Sequence, residues 1–341
     1  MRALRIDAPR ATGLCDLPVP APGPGEVLLR VARVGFCGSD LNTFRGANAL
    51  VAYPRIPGHE VSGTVVAVGA GLEDDRDAAL GRRALVLPYT ACGACPSCRA
   101  GRPNCCRDNR TLGVQRDGAL AEYLVVPVAK LISAPGLDLD ALALVEPLTI
   151  GFHAVARGRV LAGETVAVFG CGVVGLGAIA GAVARGARVI AVDLDRRKLA
   201  IARAVGALEA TAATGAALAD DIAGLTGGDG PAVCIEAAGH ADAFRACIEL
   251  ASFAGRVVAI GYAKAPLGYE SRHVILKELD VLGSRNATRG DFDAVLAHLA
   301  TGRLPLDALI SRRVGLDEAG AALAAWDADP GAVTKILVDV G

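Results

Sequence analysis

Cys92, Cys95, Cys98 and Cys106 form the pattern C-x2-C-x2-C-x7-C in a stretch rich in glycine, proline and arginine that has no core-like periodicity. Four thiolates suit a tetrahedral Zn²⁺ and leave it no open position, so this group reads as a structural zinc lobe at about 90–110. Cys105 competes for the fourth place, because a loop shifts easily by one residue; Cys106 is the assignment made. Cys15, Cys171, Cys234 and Cys247 lie in apolar surroundings that suit small core side chains. Cysteines bunched this way favour reduced thiols and a metal over a disulfide framework.

A second constellation is dispersed. Cys37 stands in Gly35-Phe36-Cys37-Gly38-Ser39-Asp40, His59 and Glu60 follow Gly58, and Glu146 precedes Pro147. A thiolate, an imidazole and one or two carboxylates can hold zinc and still leave room for a substrate oxygen. Spacing alone leaves each of them open to being an ordinary core residue. Neighbouring strand residues face opposite ways, so His59 and Glu60 reach one metal only if the backbone turns, which Gly58 permits. Glu60 is then either a direct ligand or a group behind the ligands. Glu146 reaches the metal directly, reaches it through water, or is a buried carboxylate of another kind.

The third element of chemistry is Gly170-Cys171-Gly172-Val173-Val174-Gly175, a G-x-G-x-x-G placed after an expected strand and opening an expected helix. The first glycine permits the tight turn, the second lets a pyrophosphate approach the backbone, and the third allows close helix–strand packing. N–H groups at the helix start then hold the phosphates. Asp193 closes the next strand, where it can accept from the adenosine ribose and repel a 2′-phosphate, favouring NAD over NADP. Capping of the following helix is its competing role.

The elements that must carry these residues divide the chain. The first 130 residues offer short apolar runs punctuated by Gly, Pro and Asp, at 26–34, 61–68, 84–88 and 121–126, which predict a β-rich half with long loops. From Gly163 the pattern alternates, with strands expected near 165–169, 188–193, 232–236, 256–261 and 279–282 between alanine-rich helical segments. That predicts an α/β fold with a doubly wound parallel sheet. The uncharged run Thr165 to Ala184 is as long as a membrane span, but five glycines interrupt it, and it reads as strand, turn and helix. Beyond Arg285 the alternation stops, and a final strand at 334–340 is expected to pack back on the first half.

Composition narrows the partner. The chain has 341 residues, 35 basic against 36 acidic side chains and no basic block, which argues against nucleic acid or an anionic membrane and for a small molecule. With 52% hydrophobic and 21% charged residues it can bury large cores. The opening MRALRIDAPR has no apolar core of a signal peptide, so a cytoplasmic location is expected. Arginine outnumbers lysine 30 to 5, a bias that fits genomic base composition.

Cys37-Gly-Ser39-Asp40, Gly58-His59-Glu60 with Gly63 and Gly69, the four-cysteine lobe, and Gly170–Gly175 with Asp193 together resemble the zinc-dependent medium-chain alcohol dehydrogenases, in that family's order and over nearly the whole chain. The resemblance is closest to the branch acting on polyols, sugars and sugar acids. It implies a GroES-like catalytic domain at 1–147 and 286–341, a Rossmann domain at 148–285, an active site in the cleft, and a homodimer or homotetramer. It further implies one catalytic and one structural zinc, with Glu146 where the Cys2His set would place a second cysteine. Asp40 would orient the zinc histidine, Ser39 would pass on the substrate proton, and Lys198 would lie near the adenosine ribose. Asn42 departs from the pattern, since that position is commonly a proton-relaying histidine. The expected activity is oxidation of a secondary hydroxyl with hydride transfer to NAD, and Arg285 could clamp a substrate carboxylate. An L-threonine-type amino-alcohol dehydrogenase and a non-catalytic nucleotide sensor are the alternatives. The former commonly carries a further histidine, and this chain has none between His59 and His153.

Overall fold

The computed structural model describes residues 1–72, 74–263 and 266–341. The chain divides into two compact units, Met1–Glu146 with Ile310–Gly341, and Pro147–Leu309. It passes from the first to the second inside the helix Leu139–Arg157, where Pro147 has no N–H for the carbonyl of Ala143.

In the first unit a seven-stranded sheet runs Arg312–Gly315, Ile336–Asp339, Glu26–Phe36, Glu60–Val68, Arg83–Val86 and Leu131–Ile132, with Tyr123–Pro127 also paired to Glu26–Phe36. Glu26–Phe36 is buried on both faces except at Glu26, Arg30 and Arg33, and its Val27, Leu29, Val31, Val34 and Phe36 form the centre of a hydrophobic core. The C-terminal strand pairs antiparallel with it, Ile336 opposite Phe36, so the expected return of the tail to the first half is found.

The second unit holds a six-stranded parallel sheet in the order Glu209–Thr211, Arg188–Val192, Thr165–Phe169, Val233–Glu236, Arg256–Ala259 and Asp280–Gly283. Five of these strands lie where alternation predicts them. The sixth, Glu209–Thr211, has three residues and no β-branched run to announce it. Residues 165–184 resolve into the strand Thr165–Phe169, a glycine turn and the helix Val173–Ala184.

The return to the first unit comes at Ile310 rather than at 286. The helix Arg289–Leu299 stays with the parallel sheet's unit although the strand–helix alternation has ended. It buries Phe292, Val295 and Leu299, and Asp291 Oδ2 lies 2.9 Å from His153 Nδ1. Packing, rather than the periodic pattern, sets this boundary.

Candidate metal centre and dinucleotide turn

Cys37 is the N-cap residue of the helix Gly38–Arg45. The Cys37 N–H donates to Asp40 Oδ2 at 2.8 Å, and the Gly58 N–H donates to Asp40 Oδ1 at 3.2 Å. Buried Asp40 therefore ties together the two loops that present Cys37 and His59. Its expected role was to orient the histidine, but its recorded hydrogen bonds go to backbone. Gly58, at φ +101°, supplies the turn into His59, and a Cβ there would meet Val34 Cγ1 at 2.7 Å.

Glu60 begins the strand Glu60–Val68 in register with Gly35. A Cβ on Gly35 would stand 1.9 Å from Glu60 Oε2, so only glycine leaves space for this carboxylate. Lys335, 1% exposed, reaches in beside the neighbouring strand. Its ammonium donates to Glu60 Oε1 at 2.5 Å, to Glu60 Oε2 at 2.6 Å and to the Phe36 carbonyl at 2.8 Å. All three of its protons are thus placed. Buried Glu146 accepts from the Tyr89 hydroxyl. Burial raises the Tyr89 pKa well above its ordinary value, and the adjacent Glu146 charge adds to this.

Ligand atoms of Cys37, His59 and Glu60 lie within 4.8 Å of one another; that group does not include Glu146. The Glu146 charge is nevertheless felt at His59. Burial, the largest influence, works against an imidazolium, yet Cys37, Asp40 and Glu146 lift the His59 pKa well above the usual histidine range. His59 Nδ1 and Ser39 Oγ are buried with no hydrogen-bond partner among the described residues. Converging sulfur, nitrogen and carboxylate donors with an orphaned buried nitrogen fit a divalent cation such as zinc.

The four cysteines also converge. Sγ atoms of Cys92, Cys95, Cys98 and Cys106 lie within 4.8 Å of one another. Cys95 Sγ is 3.4 Å from Cys98 Sγ and 3.9 Å from Cys106 Sγ. A tetrahedron with Zn–S bonds of about 2.3 Å has edges of about 3.8 Å, so these separations suit zinc. Cys105 lies outside the group, near the Arg102 guanidinium. The Ser97 hydroxyl, then the N–H groups of Arg107 and Cys98, pull the Cys95 pKa down to about 5, while burial and the neighbouring Cys95 push Cys98 up to about 12.

In the second unit each fingerprint glycine has its own reason. Gly170 has φ +93°, and a Cβ there would lie 2.7 Å from Ala238 N. A Cβ on Gly175 would meet the Gly170 carbonyl at 1.8 Å. A Cβ on Gly172 would meet nothing within 4 Å and would project into open space. Gly172 also caps the helix that Val173 and Val174 begin, with no side chain to satisfy the first N–H groups. An unblocked cradle at a helix start fits a pyrophosphate.

Asp193 follows the strand Arg188–Val192. It accepts from Cys171 N–H at 2.6 Å and from Asp195 N–H at 2.8 Å, one bond per carboxylate oxygen. Each oxygen keeps capacity for a ribose hydroxyl. The cap of the next helix, Arg196–Val205, is Asp195, not Asp193. Lys198 lies half-buried in that helix's first turn. Arg285 is exposed and already engaged within the chain.

Lys335 and Tyr89 were not among the residues singled out from the sequence. Lys335 carried a signal: with 30 arginines to 5 lysines, a lysine directly before an apolar strand marks a place for a compact three-donor cation. Tyr89 carried none.

This is the architecture of a zinc-type dehydrogenase, a β-rich metal-binding unit joined to a dinucleotide-binding sheet. Residues 23–136 match the alcohol dehydrogenase GroES-like domain, and residues 173–301 match the zinc-binding dehydrogenase domain. An L-galactonate-5-dehydrogenase of Escherichia coli (strain K12) is 37% identical over 298 residues, covering 86% of this chain and 86% of that protein. A crystal structure of a short chain alcohol dehydrogenase (rspB) from Escherichia coli CFT073, complexed with NADH, has a TM-score of 0.91 at 30% identity and covers 100% of this chain and 99% of that one. A zinc-binding dehydrogenase from Sinorhizobium meliloti 1021, bound to NADP, has a TM-score of 0.89 at 32% identity and covers 99% of each chain. The chain belongs to the zinc-binding alcohol dehydrogenase family. It is an NAD(P)-binding medium-chain oxidoreductase acting on a small-molecule alcohol.

Proposed function

We propose that the chain oxidises a secondary hydroxyl of a polyol, sugar or sugar acid, for example at C5 of an aldonate, with NAD as hydride acceptor. The observation that carries this is the convergence of half-buried Cys37 with buried His59 and Glu60, together with the orphaned imidazole nitrogen. The similarity to an L-galactonate-5-dehydrogenase supports the substrate class. The Asp193 carboxylate, which repels a 2′-phosphate, supports NAD over NADP.

When bound, zinc supplies a Lewis acid that acidifies the substrate hydroxyl, and NAD supplies the hydride acceptor. Cys37 and His59 hold the metal at this centre, and Cys92, Cys95, Cys98 and Cys106 hold a separate structural ion. Glu60, with both oxygens on Lys335, stands behind the ligands as a charge neutralised by that ammonium. Glu146, steadied by Tyr89, completes the donor set directly or through water. Ser39 Oγ, with no competing partner among the described residues, receives the substrate proton. Asn42 is not a base at physiological pH. The Thr43 hydroxyl proton is directed onto the Ser39 carbonyl at 2.9 Å, so water is assigned the onward step.

The protein assembles as a homodimer or homotetramer. Support comes from the edge strand Asp280–Gly283, where Val281 is exposed, and from the nearby helix Ser271–Leu276, where Ile275 and Leu276 are exposed.

A panel of polyols and aldonic acids with NAD or NADP, with L-threonine as a control, tests the function through NADH or NADPH absorbance. NAD-linked turnover is expected with a polyol or aldonate and not with L-threonine. Turnover confined to L-threonine, or none with any alcohol, refutes the proposal.

A further inference from the structure

Glu236 ends the strand Val233–Glu236 in the middle of the parallel sheet and is 2% exposed. A carboxylate in that position needs partners. Glu236 Oε1 accepts from the N–H groups of Ala238 at 2.9 Å, Gly239 at 2.7 Å and His240 at 3.4 Å. Three consecutive N–H groups of one loop are therefore turned inward onto a single oxygen.

That loop is wedged between two glycine turns. A Cβ on Gly170 would meet Ala238 N at 2.7 Å, and a Cβ on Gly261 would meet Gly239 N at 2.2 Å and Glu236 Oε2 at 2.7 Å. The start of the loop is fixed as well. Ala237 N–H donates to the Phe169 carbonyl at 2.8 Å, and Ile260 N–H donates to the Glu236 carbonyl at 2.9 Å. The rest of the loop, from Ala238 to His240, takes its shape from the Glu236 side chain.

Chain order in the sheet reverses between Thr165–Phe169 and Val233–Glu236. A dinucleotide lies across such a switch point, over the C-terminal ends of the strands. Asp193, which would bind the adenosine ribose, is on one side of that point, and the Glu236 loop is on the other. We propose that Glu236 is a positioning residue for the nicotinamide half of the dinucleotide, acting by holding the loop Ala237–His240 in a preformed shape. This rests on the reading of the second unit as a dinucleotide site. Preorganisation raises affinity because the loop's ordering is complete before the ligand arrives.

The test compares NADH with ADP-ribose, which lacks the nicotinamide, by calorimetric titration of the full chain and of Glu236→Ala, Glu236→Asp and Glu236→Gln. Glu236→Ala is expected to weaken NADH about tenfold or more while ADP-ribose stays within about twofold. Glu236→Gln keeps an acceptor oxygen in place and is expected to restore NADH binding to within about threefold. Glu236→Asp is one methylene too short to reach all three N–H groups; it is expected to fall between the other two and serves if the alanine variant does not fold. Equal weakening of both ligands, or unchanged NADH affinity in Glu236→Ala and Glu236→Asp, overturns the positioning role. A wild-type chain that binds neither NADH nor ADP-ribose overturns the dinucleotide reading as well.

Discussion

Glu60 and Lys335 show what single side chains contribute to this centre. Removing one partner of a buried ion pair leaves the other charge desolvated and typically costs about 3–5 kcal/mol. Lys335→Met is therefore expected to lower stability by about that amount in urea unfolding, and Glu60→Gln/Lys335→Met to recover part of the loss. A Lys335→Met protein as stable as the wild type would show that the pair contributes nothing. His298 gives a pH prediction. Burial, with a smaller contribution from Arg303, lowers its pKa from 6.5, while its ring lies 5.9 Å from that of Phe152. The unfolded chain then binds the proton more readily than the folded one, so this stability is present above about pH 6.5 and declines as the pH falls towards the depressed native value. Between pH 7 and pH 5 the Tm of the wild type should fall more than that of His298→Gln; parallel profiles would contradict the assignment.

Elements show how much of the site was legible in the sequence. The fingerprint glycines were legible because each role is a backbone requirement, and the structure separates those roles sharply. Gly172→Ala adds a methyl that meets no protein atom, so the variant should fold with unchanged Tm yet bind NADH about tenfold more weakly. Gly175→Val, whose Cβ would clash with the Gly170 carbonyl, should lose both folding stability and binding. Unchanged NADH affinity in Gly172→Ala would remove the pyrophosphate from that turn. The cysteine lobe was legible for a related reason, since four ligands crowded into one loop leave few other uses for them. By contrast, the pairing of Glu60 with Lys335 joins residues 275 apart in sequence, and the bond of Tyr89 to Glu146 joins residues 57 apart. No local pattern records such pairings. Asp40 was identified, but its bonds to Cys37 and Gly58 depend on how two loops meet.

For the whole molecule, the division into a β-rich unit and a parallel-sheet unit followed from a change in hydrophobic rhythm near residue 163. The exit from the second unit did not, because Arg289–Leu299 packs as one more helix of that unit after the strand–helix alternation has ended. The two proposed metal sites predict about two zinc ions per wild-type chain by elemental analysis. Cys95→Ser should lose the structural ion and lower Tm. Light scattering should give a mass of two or four chains, and a monomer at micromolar concentration would contradict the assembly. The most direct test of the central claim is the rate of NADH formation by Cys37→Ser, measured on protein whose zinc content and NADH affinity are known. The account predicts loss of one zinc per chain and at least a thousandfold loss of turnover, roughly 4 kcal/mol in transition-state stabilisation, with NADH affinity unchanged. Full turnover by a Cys37→Ser protein lacking that zinc would contradict it.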